Sequence, residues 1–522
     1  MIKRLVFSAS LLFATTFGTM AQHNVIPYPN KLQCNGSEFT LSKVEVSLGK
    51  DLKDLKELVQ SDFASAGISV SFGNKKANVV FTQNKQLPAE GYTLNATDGK
   101  VVIGYADASG AFYAMQTLKQ LWNVKGNTLE IPNVAIEDSP AYQWRAFMLD
   151  EGRYFKGKEV VLQLIDQMAA LKMNTFHWHL TDDQGWRIEI KKYPKLTEVG
   201  GFRKETEVGG WNSKKFDGNP HGGFYTQKEI KEIVAYAAKR GITIVPEIEM
   251  PGHASAAIAA YPWLGVKNEQ IEVPTYFGVH YAVYDVTNPK VYEFMQDVLA
   301  EVFELFPSQA VHIGGDEVKF DQWKESNKVA DYMKQKNIKT YPDLQIAFTN
   351  QISDFVDSKG RRMMGWNEIM GKNLHGADHG WQDAGDVTST LSKSSIVHFW
   401  KGEEDLFRDA VNKGYDIVNS THNYTYLDYD YNSIPLEKAY GFNPIPKGVK
   451  PEQESQVLGL GCQMWGEWIP TVESMNQRVY PRIAAYAEVG WTKAENKDYG
   501  RFTKALDSWK AIWKKLGINY HE

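Results

Sequence analysis

The sequence predicts an α/β fold, in which a (β/α)8 TIM barrel follows a small α+β domain. Two observations lead to this prediction. From Trp144 onward, eight short apolar runs alternate with amphipathic helical patterns, as expected of successive βα units. Acidic and other polar residues follow these runs directly, at the ends of strands where barrels carry their functional groups.

The predicted barrel domain covers residues 139–522, and each of its strands is a short apolar run bounded by polar or glycine residues. The eight predicted strands are Arg145–Leu149, Thr175–Leu180, Thr243–Glu247, Ala310–Gly314, Arg362–Trp366, Ile396–Trp400, Asp416–Asn419 and Leu458–Trp465. Helical patterns lie between them, including Lys158–Met173, Thr226–Arg240, Pro289–Leu305, Tyr341–Ser358 and Glu403–Lys413.

Residues 22–138 are predicted to form the small, non-catalytic α+β domain. Its expected elements are strands at Val44–Leu48 and Asn78–Thr82, a hairpin over Tyr92–Tyr105 around the turn Asp98-Gly99, and a helix over Ser109–Trp122. The stretch 131–140 contains two prolines and is predicted to be the linker to the barrel.

Residues 1–21 have a basic start, an apolar stretch and small residues at the end, which is typical of a secretory signal peptide. The apolar stretch is interrupted by Ser, Thr and Gly, so no membrane span is expected. The mature chain is therefore predicted to be soluble and exported, either periplasmic or extracellular. Cys34 and Cys462 lie far apart and imply no disulfide framework; two free thiols are expected, with a single disulfide between them as the alternative.

Composition narrows the class of partner. The chain has 522 residues, 43% of them hydrophobic, which is enough for large buried cores. Its net charge is −5, with both signs mixed along the chain, which argues against nucleic acid as a partner. It also contains fifteen Trp, whose flat apolar faces with one polar group suit sugar rings. An oligosaccharide or glycoconjugate is therefore the expected partner; the sequence leaves the oligomeric state open.

The most informative segment is His312-Ile313-Gly314-Gly315-Asp316-Glu317-Val318, which ends a predicted strand in two adjacent carboxylates. Buried carboxylates are costly without partners, so Asp316 and Glu317 indicate a catalytic pair or a structural charge network. Along an extended chain, the side chains of neighbouring residues diverge. The two carboxylates are therefore not expected to face each other as an acid and a nucleophile would.

This segment and several others closely resemble glycoside hydrolase family 20, the β-N-acetylhexosaminidases. The motifs that carry the resemblance are His312–Val318, Lys172–Arg187, Val245–His253, Gly365–Glu368, Tyr426–Asp428 and Trp465–Glu467. The likeness covers about residues 25–510. It implies a retaining exo-β-N-acetylhexosaminidase that removes terminal β-linked GlcNAc, with GalNAc left open, and needs no metal or cofactor.

The resemblance also implies the roles of the pair. In this family the 2-acetamido oxygen of the substrate attacks the anomeric carbon, an exception to the scheme with two protein carboxylates. Asp316 would hold the acetamido group as it becomes an oxazolinium ion. Glu317 would protonate the leaving oxygen and then activate water, with a pKa raised by apolar walls and the neighbouring charge.

Further residues are assigned to sugar binding by the same resemblance. Arg145 is expected to bind the 3- and 4-hydroxyls, for which a guanidinium fork is suited, although an ion pair at the barrel floor is its alternative; Arg153 is placed behind the site. Tyr426 would donate to the acetamido oxygen and Asp428 would hold a hydroxyl. The remaining pocket residues are Trp366, Trp400, Trp465 and Glu467, with core packing the alternative for each Trp.

Two other functional classes remain possible on sequence grounds. His177 and His179 share one face of a strand and could bind zinc, which would indicate a metal-dependent amidohydrolase. No matching set of later ligands is found, and His253 is instead expected to pair with Asp182 or Asp183. The other alternative, a catalytically silent glycan-binding module, is disfavoured by the intact acid pair.

Two departures from the family pattern concern the pocket. The stretch 371–391, with His375, His379 and Trp381, is longer than the usual connection and is expected to reshape the aglycone side. Tyr429 stands close to where many relatives place a Trp. Either Tyr424 or Tyr429 is therefore predicted to supply that wall.

Overall fold

The computed structural model describes residues 24–372 and 387–522, so the predicted signal peptide at 1–21 and the residues His375, His379 and Trp381 lie outside the described residues. The strands of the small domain are β1 (Lys31–Leu41), β2 (Val44–Ser47), β3 (Val70–Phe72), β4 (Val79–Gln83), β5 (Tyr92–Thr97), β6 (Lys100–Tyr105), β7 (Asn123–Lys125) and β8 (Thr128–Asp138).

A closed barrel of parallel strands follows, and three two-stranded ladders interrupt its order along the chain. The barrel strands are β9 (Trp144–Asp150), β10 (Thr175–His179), β17 (Thr243–Glu247), β18 (Ala310–His312), β19 (Arg362–Trp366), β20 (Ile396–Phe399), β21 (Asp416–Asn419) and β22 (Val457–Met464). The ladder strands are β11 (Thr181–Asp182), β12 (Gly185–Trp186), β13 (Phe202–Arg203), β14 (Glu207–Val208), β15 (Lys215–Phe216) and β16 (His221–Gly222).

The helices fall into those of the small domain and those that follow barrel strands. They are α1 (Leu55–Ser65), α2 (Ala108–Leu121), α3 (Lys158–Ala170), α4 (Lys195–Glu198), α5 (Gln227–Ala238), α6 (Ser255–Ala260), α7 (Pro289–Leu305), α8 (Asp321–Glu325), α9 (Asn327–Gln335), α10 (Tyr341–Ser358), α11 (Glu404–Asn412), α12 (His422–Thr425), α13 (Leu436–Tyr440), α14 (Val472–Val479), α15 (Arg482–Trp491) and α16 (Tyr499–Lys515).

The barrel closes through parallel pairing of β22 with β9, which joins the last strand to the first. Its strands are buried on both faces, as expected of parallel strands covered by helices. The outer helices begin at clear signals: Thr226 and Glu229 form a capping box for α5, and the Asn288 side chain accepts from Lys290 N at the start of α7. This architecture confirms the predicted (β/α)8 barrel with a small domain before it.

The small domain is a sheet of order β1-β8-β5-β6-β4-β2-β3, with β7 paired to β8. Helix α2 packs on β5 and β6 and is buried over most of its length. The ring of Tyr113 in α2 lies edge-on to Trp491 of α15, with centroids 5.1 Å apart. The sheet domain therefore contacts the barrel through a helix with almost no exposed face.

The linker prediction is wrong. Residues 131–138 belong to β8, which runs to Asp138, and only the short segment 139–143 joins it to β9. Pro132 is tolerated in this strand because it pairs with Glu38, where the register of β1 against β8 shifts. Both cysteines are free, as expected, and no helix in the described part of the chain is long and apolar enough to cross a membrane.

Candidate active site

The catalytic pair lies on a turn directly after β18. The residues Gly314, Gly315 and Glu317 have φ angles of 65°, 84° and 51°, so the backbone is left-handed at three of four consecutive positions. A Cβ at Gly314 would lie 1.7 Å from Glu249 Oε2, which leaves room for glycine alone. The two glycines therefore allow the chain to turn and present both carboxylates at the barrel mouth.

His253 lies between the two carboxylates. Its Nε2 is 3.8 Å from Asp316 Oδ2 and 3.6 Å from Glu317 Oε2. These three ligand atoms lie within 4.8 Å of one another. The prediction that the two side chains diverge is therefore wrong, because Glu317 is left-handed rather than extended and both carboxylates turn toward the same imidazole.

The two acids differ in burial. The Asp316 side chain is 11% exposed and that of Glu317 is 23% exposed. Burial raises the pKa of Asp316 well above its ordinary value, the charges of Glu317 and Glu368 add to this, and His253 opposes it. Asp316 is thus the more deeply buried member of the pair.

Aromatic side chains from four strand ends form one cluster beside this pair. Trp366, Tyr426 and Trp465 are buried together with Met148, and Trp400 lies against them. Ring centroids are 5.7 Å apart for Trp366 and Trp465, and Trp400 stacks on Tyr426 at 6.1 Å with an interplanar angle of 10°. The structure therefore brings the three predicted Trp and Tyr426 together.

Tyr424 and Tyr429, the two residues predicted as alternatives for one pocket wall, have different surroundings in the structure. Tyr429 packs against Tyr426, with ring centroids 5.9 Å apart, and its hydroxyl is 3.1 Å from His422 Nδ1. Tyr424 instead packs on Phe442, at 5.6 Å. Of the two, Tyr429 is the one next to the aromatic cluster.

Arg153 supplies the guanidinium of the site. Its Nη1 is 2.8 Å from Asp182 Oδ2 and 3.3 Å from Asp150 Oδ2, and its Nη2 is 3.8 Å from Glu467 Oε1. The guanidinium also lies over the Trp465 ring, 5.2 Å from its centroid. Arg153 therefore touches both the aromatic cluster and the acidic residues.

The structure contradicts the assignment of Arg145 to sugar binding. Arg145 lies at the amino end of β9, fully buried, and pairs with Glu90 of the small domain at 2.8 Å. Its guanidinium also donates to the carbonyl oxygens of Tyr142 and Lys172, both at 2.8 Å. Functional groups of barrels follow the carboxyl ends of strands, and that rule alone favours Arg153, which sequence reasoning had placed behind the site.

The prediction for His253 is confirmed, and both aspartates are involved. His253 Nδ1 is 3.0 Å from Asp183 Oδ2 and 3.3 Å from Asp182 Oδ1. Burial alone would lower the pKa of His253, but the two aspartates and Glu317 raise it well above its ordinary value. Asp183 is held in turn by Ser255, whose backbone N–H and hydroxyl both donate to it.

His177 and His179 do share one face of β10, but they converge on a carboxylate. Glu247 Oε2 lies 2.6 Å from His179 Nδ1 and 2.8 Å from His177 Nε2. Two ligands of a tetrahedral zinc ion would lie about 3.3 Å apart, given metal–ligand distances of about 2.0 Å. Both distances are shorter than that spacing, and the contact from His179 is a hydrogen bond.

Several buried polar atoms around the cluster have no hydrogen-bond partner among the described residues. They are Asp316 Oδ1, Asp428 Oδ1, Arg153 Nε and Trp465 Nε1. Burying such groups without partners costs free energy, so their convergence at one mouth indicates a site for a ligand with several hydroxyl or amide groups. Burial, with the charge of Glu467, also raises the pKa of Asp428 well above its usual range.

A closed barrel with a carboxylate pair, a guanidinium and a tryptophan-rich cluster at its carboxyl end suits a glycoside hydrolase. Comparison with known proteins gives the family. Residues 142–494 match the glycosyl hydrolase family 20 catalytic domain, and residues 22–139 match domain 2 of that family. The chain therefore belongs to glycosyl hydrolase family 20.

Individual relatives and solved structures are similar to this chain over most of its length. A Beta-hexosaminidase of Porphyromonas gingivalis is 36% identical over 526 residues, covering 95% of this chain and 64% of that protein, so the chain spans less than two thirds of that relative. The solved exo-β-N-acetylglucosaminidase from Vibrio harveyi, in complex with N-acetylglucosamine, has a TM-score of 0.84 at 30% identity over 96% of this chain and 78% of that chain. A β-N-acetylhexosaminidase from Bacteroides fragilis has a TM-score of 0.81 at 31% identity, with coverage of 95% and 96%.

Proposed function

We propose that this protein is an exported, retaining exo-β-N-acetylhexosaminidase. It would release terminal β-linked GlcNAc from glycans, with GalNAc as the second candidate sugar. Family membership and the names of the relatives support the activity. Export rests on the signal-peptide pattern of residues 1–21.

The position of His253 supports a nucleophile supplied by the substrate. A protein acid and a protein nucleophile must flank the sugar from opposite sides. Asp316 and Glu317 instead turn toward the same ring nitrogen of His253, at 3.8 and 3.6 Å, so they do not oppose each other across a sugar. The 2-acetamido oxygen of the substrate is then the group that can attack the anomeric carbon from the other face.

In this mechanism the acetamido oxygen forms a bond to C1 while the bond from C1 to the leaving oxygen breaks. Glu317 gives its proton to the leaving oxygen, and Asp316 stabilises the positive oxazolinium ion. In the second step Glu317 takes a proton from water, which attacks C1 and reopens the ring. Two inversions at C1 give overall retention.

The surrounding residues suit the rest of the sugar. Trp366, Trp400 and Trp465 provide apolar faces for the acetamido methyl and the ring. Burial raises the pKa of Tyr426 well above its ordinary value, so its hydroxyl remains a donor for the acetamido oxygen. Two carboxylates and one guanidinium remain for the ring hydroxyls: Asp428, Glu467 and Arg153, the last in place of Arg145.

The variant Glu317→Gln tests both the hydrolase activity and the role of Glu317 as the general acid. The amide cannot protonate the leaving oxygen, so hydrolysis of alkyl β-N-acetylglucosaminides should fall by about 10²- to 10⁴-fold. A dinitrophenyl glycoside needs little protonation and should lose much less. The measurement is kcat/KM for both substrates.

Three outcomes would contradict the proposal. Equal losses on both substrates would remove Glu317 from the acid role. Loss of wild-type activity after EDTA treatment would point to metal chemistry. Absence of turnover on any aryl β-N-acetylglucosaminide would leave the glycan-binding alternative.

A further inference from the structure

Glu247 is the centre of a fully buried cluster beneath the pocket. Its Oε2 faces His179 and His177, at 2.6 and 2.8 Å. Its Oε1 accepts a hydrogen bond from Trp366 Nε1 at 2.8 Å and lies 2.8 Å from His312 Nδ1. Each oxygen thus has two nitrogen neighbours, and one of the four belongs to a pocket side chain.

The charges in this cluster are fixed. Burial would raise the pKa of Glu247, but His312, His179 and His177 hold it well below its ordinary value. Burial would lower the pKa of His179, but Glu247 and Asp182 raise it to about 10. His179 is therefore an imidazolium that donates to Glu247 from Nδ1 and to Asp182 from Nε2, at 2.6 and 2.8 Å.

The contact from Glu247 to Trp366 determines how the indole lies in the pocket. An indole has one N–H, so a charged acceptor at 2.8 Å selects one orientation of the ring. Trp366 is 1% exposed and stacks on His398, with centroids 4.1 Å apart, while Trp465 lies 5.7 Å away. The N–H is directed into the cluster around Glu247, and the ring packs beside Trp465 at the barrel mouth.

We propose that Glu247 is a positioning residue for the reaction. It holds the Trp366 indole in the orientation that shapes the pocket for the acetamido group before the substrate binds, which lowers the cost of organising the site. This inference rests on the proposed function, because it takes the acetamido group as the ligand of that pocket.

The test uses Glu247→Gln, which keeps the shape of the side chain. The amide has one acceptor oxygen and one NH2 group. If the NH2 group faces Trp366 it meets the indole N–H, and if it faces His179 it meets the imidazolium N–H. The charged imidazolium is the stronger donor and keeps the amide oxygen, so the indole N–H of Trp366 loses its acceptor in the variant.

The measured quantity is the inhibition constant of GlcNAc-thiazoline, a stable mimic of the cyclised acetamido group. Loss of one hydrogen bond to a charged group is expected to weaken inhibition by about 10- to 100-fold in Glu247→Gln. Trp366→Phe removes the indole N–H. In the double variant the NH2 group can turn toward Phe and toward His312 Nδ1, a nitrogen that also accepts from Gly314 N–H, which leaves the amide oxygen for His179.

Glu247→Gln should therefore cost less than about 3-fold in the Trp366→Phe background. Tyr426 lies in the pocket without a contact to Glu247. The effects of Glu247→Gln and Tyr426→Phe on the inhibition constant should therefore be additive. Glu488→Gln is the matched control for removal of a buried charge, because Glu488 pairs with Arg501 away from the pocket. It should lower the Tm and leave the inhibition constant unchanged.

The outcomes separate the two proposals. If thiazoline does not inhibit the wild type, the mechanism with a substrate nucleophile fails. If thiazoline inhibits the wild type and Glu247→Gln equally, or if the effects of Glu247→Gln and Trp366→Phe are additive, Glu247 does not act through Trp366 and this inference is overturned.

Discussion

At the scale of single residues, position along a strand decides what a side chain can do. Arg153 follows the carboxyl end of β9 and meets Asp182 and Glu467 at the mouth. Arg145 sits at the amino end of the same strand and ties it to Glu90. The two arginines are chemically identical, yet only one can reach a ligand in the pocket.

This difference predicts opposite results for Arg153→Lys and Arg145→Lys. Lysine has no planar fork, so Arg153→Lys should lower kcat/KM by about 10- to 100-fold through a higher KM, with little change in Tm. Arg145→Lys breaks the contacts with Glu90 and two carbonyl oxygens and should lower the Tm while KM stays unchanged. Steady-state kinetics and calorimetry on both variants check this; a KM effect confined to Arg145→Lys would contradict the assignment.

The buried carboxyl of Asp316 predicts an acid limb in the pH profile. Asp316 must be ionised to stabilise the oxazolinium ion, and burial raises its pKa. Activity is therefore lost as the pH falls through this raised pKa and recovers above it. The measurement is kcat/KM against pH with a dinitrophenyl glycoside, for which protonation by Glu317 matters little; a midpoint at or below the ordinary Asp value of about 3.9 would contradict the role of Asp316.

Many residues of the site could be predicted, because they directly follow the apolar runs that predict the barrel strands. Asp316, Tyr426 and Trp465 all lie where the sequence put them. The directions of the side chains could not be predicted. The left-handed backbone of Glu317, its approach to His253 and the contact of His179 with Glu247 all depend on residues distant in sequence.

At the scale of elements, the turn after β18 is the part of the fold on which the catalytic pair depends. Gly314 combines a φ of 65° with a site where a Cβ would meet Glu249 Oε2 at 1.7 Å. Burial, with the charge of Asp316, also raises the pKa of Glu249 well above its ordinary value. A side chain at Gly314 would therefore push against a packed carboxyl and shift the turn.

We expect Gly314→Ala to lower kcat/KM by about 10²-fold or more, because displacements of about 1 Å at a catalytic group cost that much. Gly414→Ala is the matched control: its φ is 81°, but no atom lies within 4 Å of the added Cβ. It should cost about 1 kcal/mol of stability and no activity. Equal effects of the two variants on kcat/KM would show that activity does not depend on the glycine at this turn.

Element prediction succeeded where hydrophobic patterns are strong. Helices α7 and α10 match their predicted ranges, because each has a capping residue, a proline at its first or second position and a regular buried face. It failed for β1, which was not predicted: most of its residues are exposed, and Asn35-Gly36 interrupts it. Such an edge strand is specified by its pairing with β8 rather than by its own sequence.

At the scale of the whole molecule, a buried charge network joins the small domain to the barrel. Asp138, the last residue of β8, accepts from Tyr92 OH at 2.6 Å and from Trp491 Nε1 at 2.9 Å, and its Oδ2 is 3.2 Å from Lys172 Nζ. Burial lowers the pKa of Lys172, and Asp138 opposes this. The two domains therefore share one set of buried polar partners, at the end of the barrel opposite to the catalytic pair.

Asp138→Asn should consequently weaken the whole molecule without changing its chemistry. It leaves the Lys172 ammonium buried without its counter-ion, and breaking a buried pair in this way costs about 3–5 kcal/mol. We expect a fall in Tm of roughly 5 °C or more, a single unfolding transition, and an unchanged KM. Calorimetry and steady-state kinetics measure these, with Asp98→Asn in an exposed hairpin turn as the control that should change neither. Two separated transitions, or a change in KM at constant Tm, would show that this interface does not bind the domains into one cooperative unit.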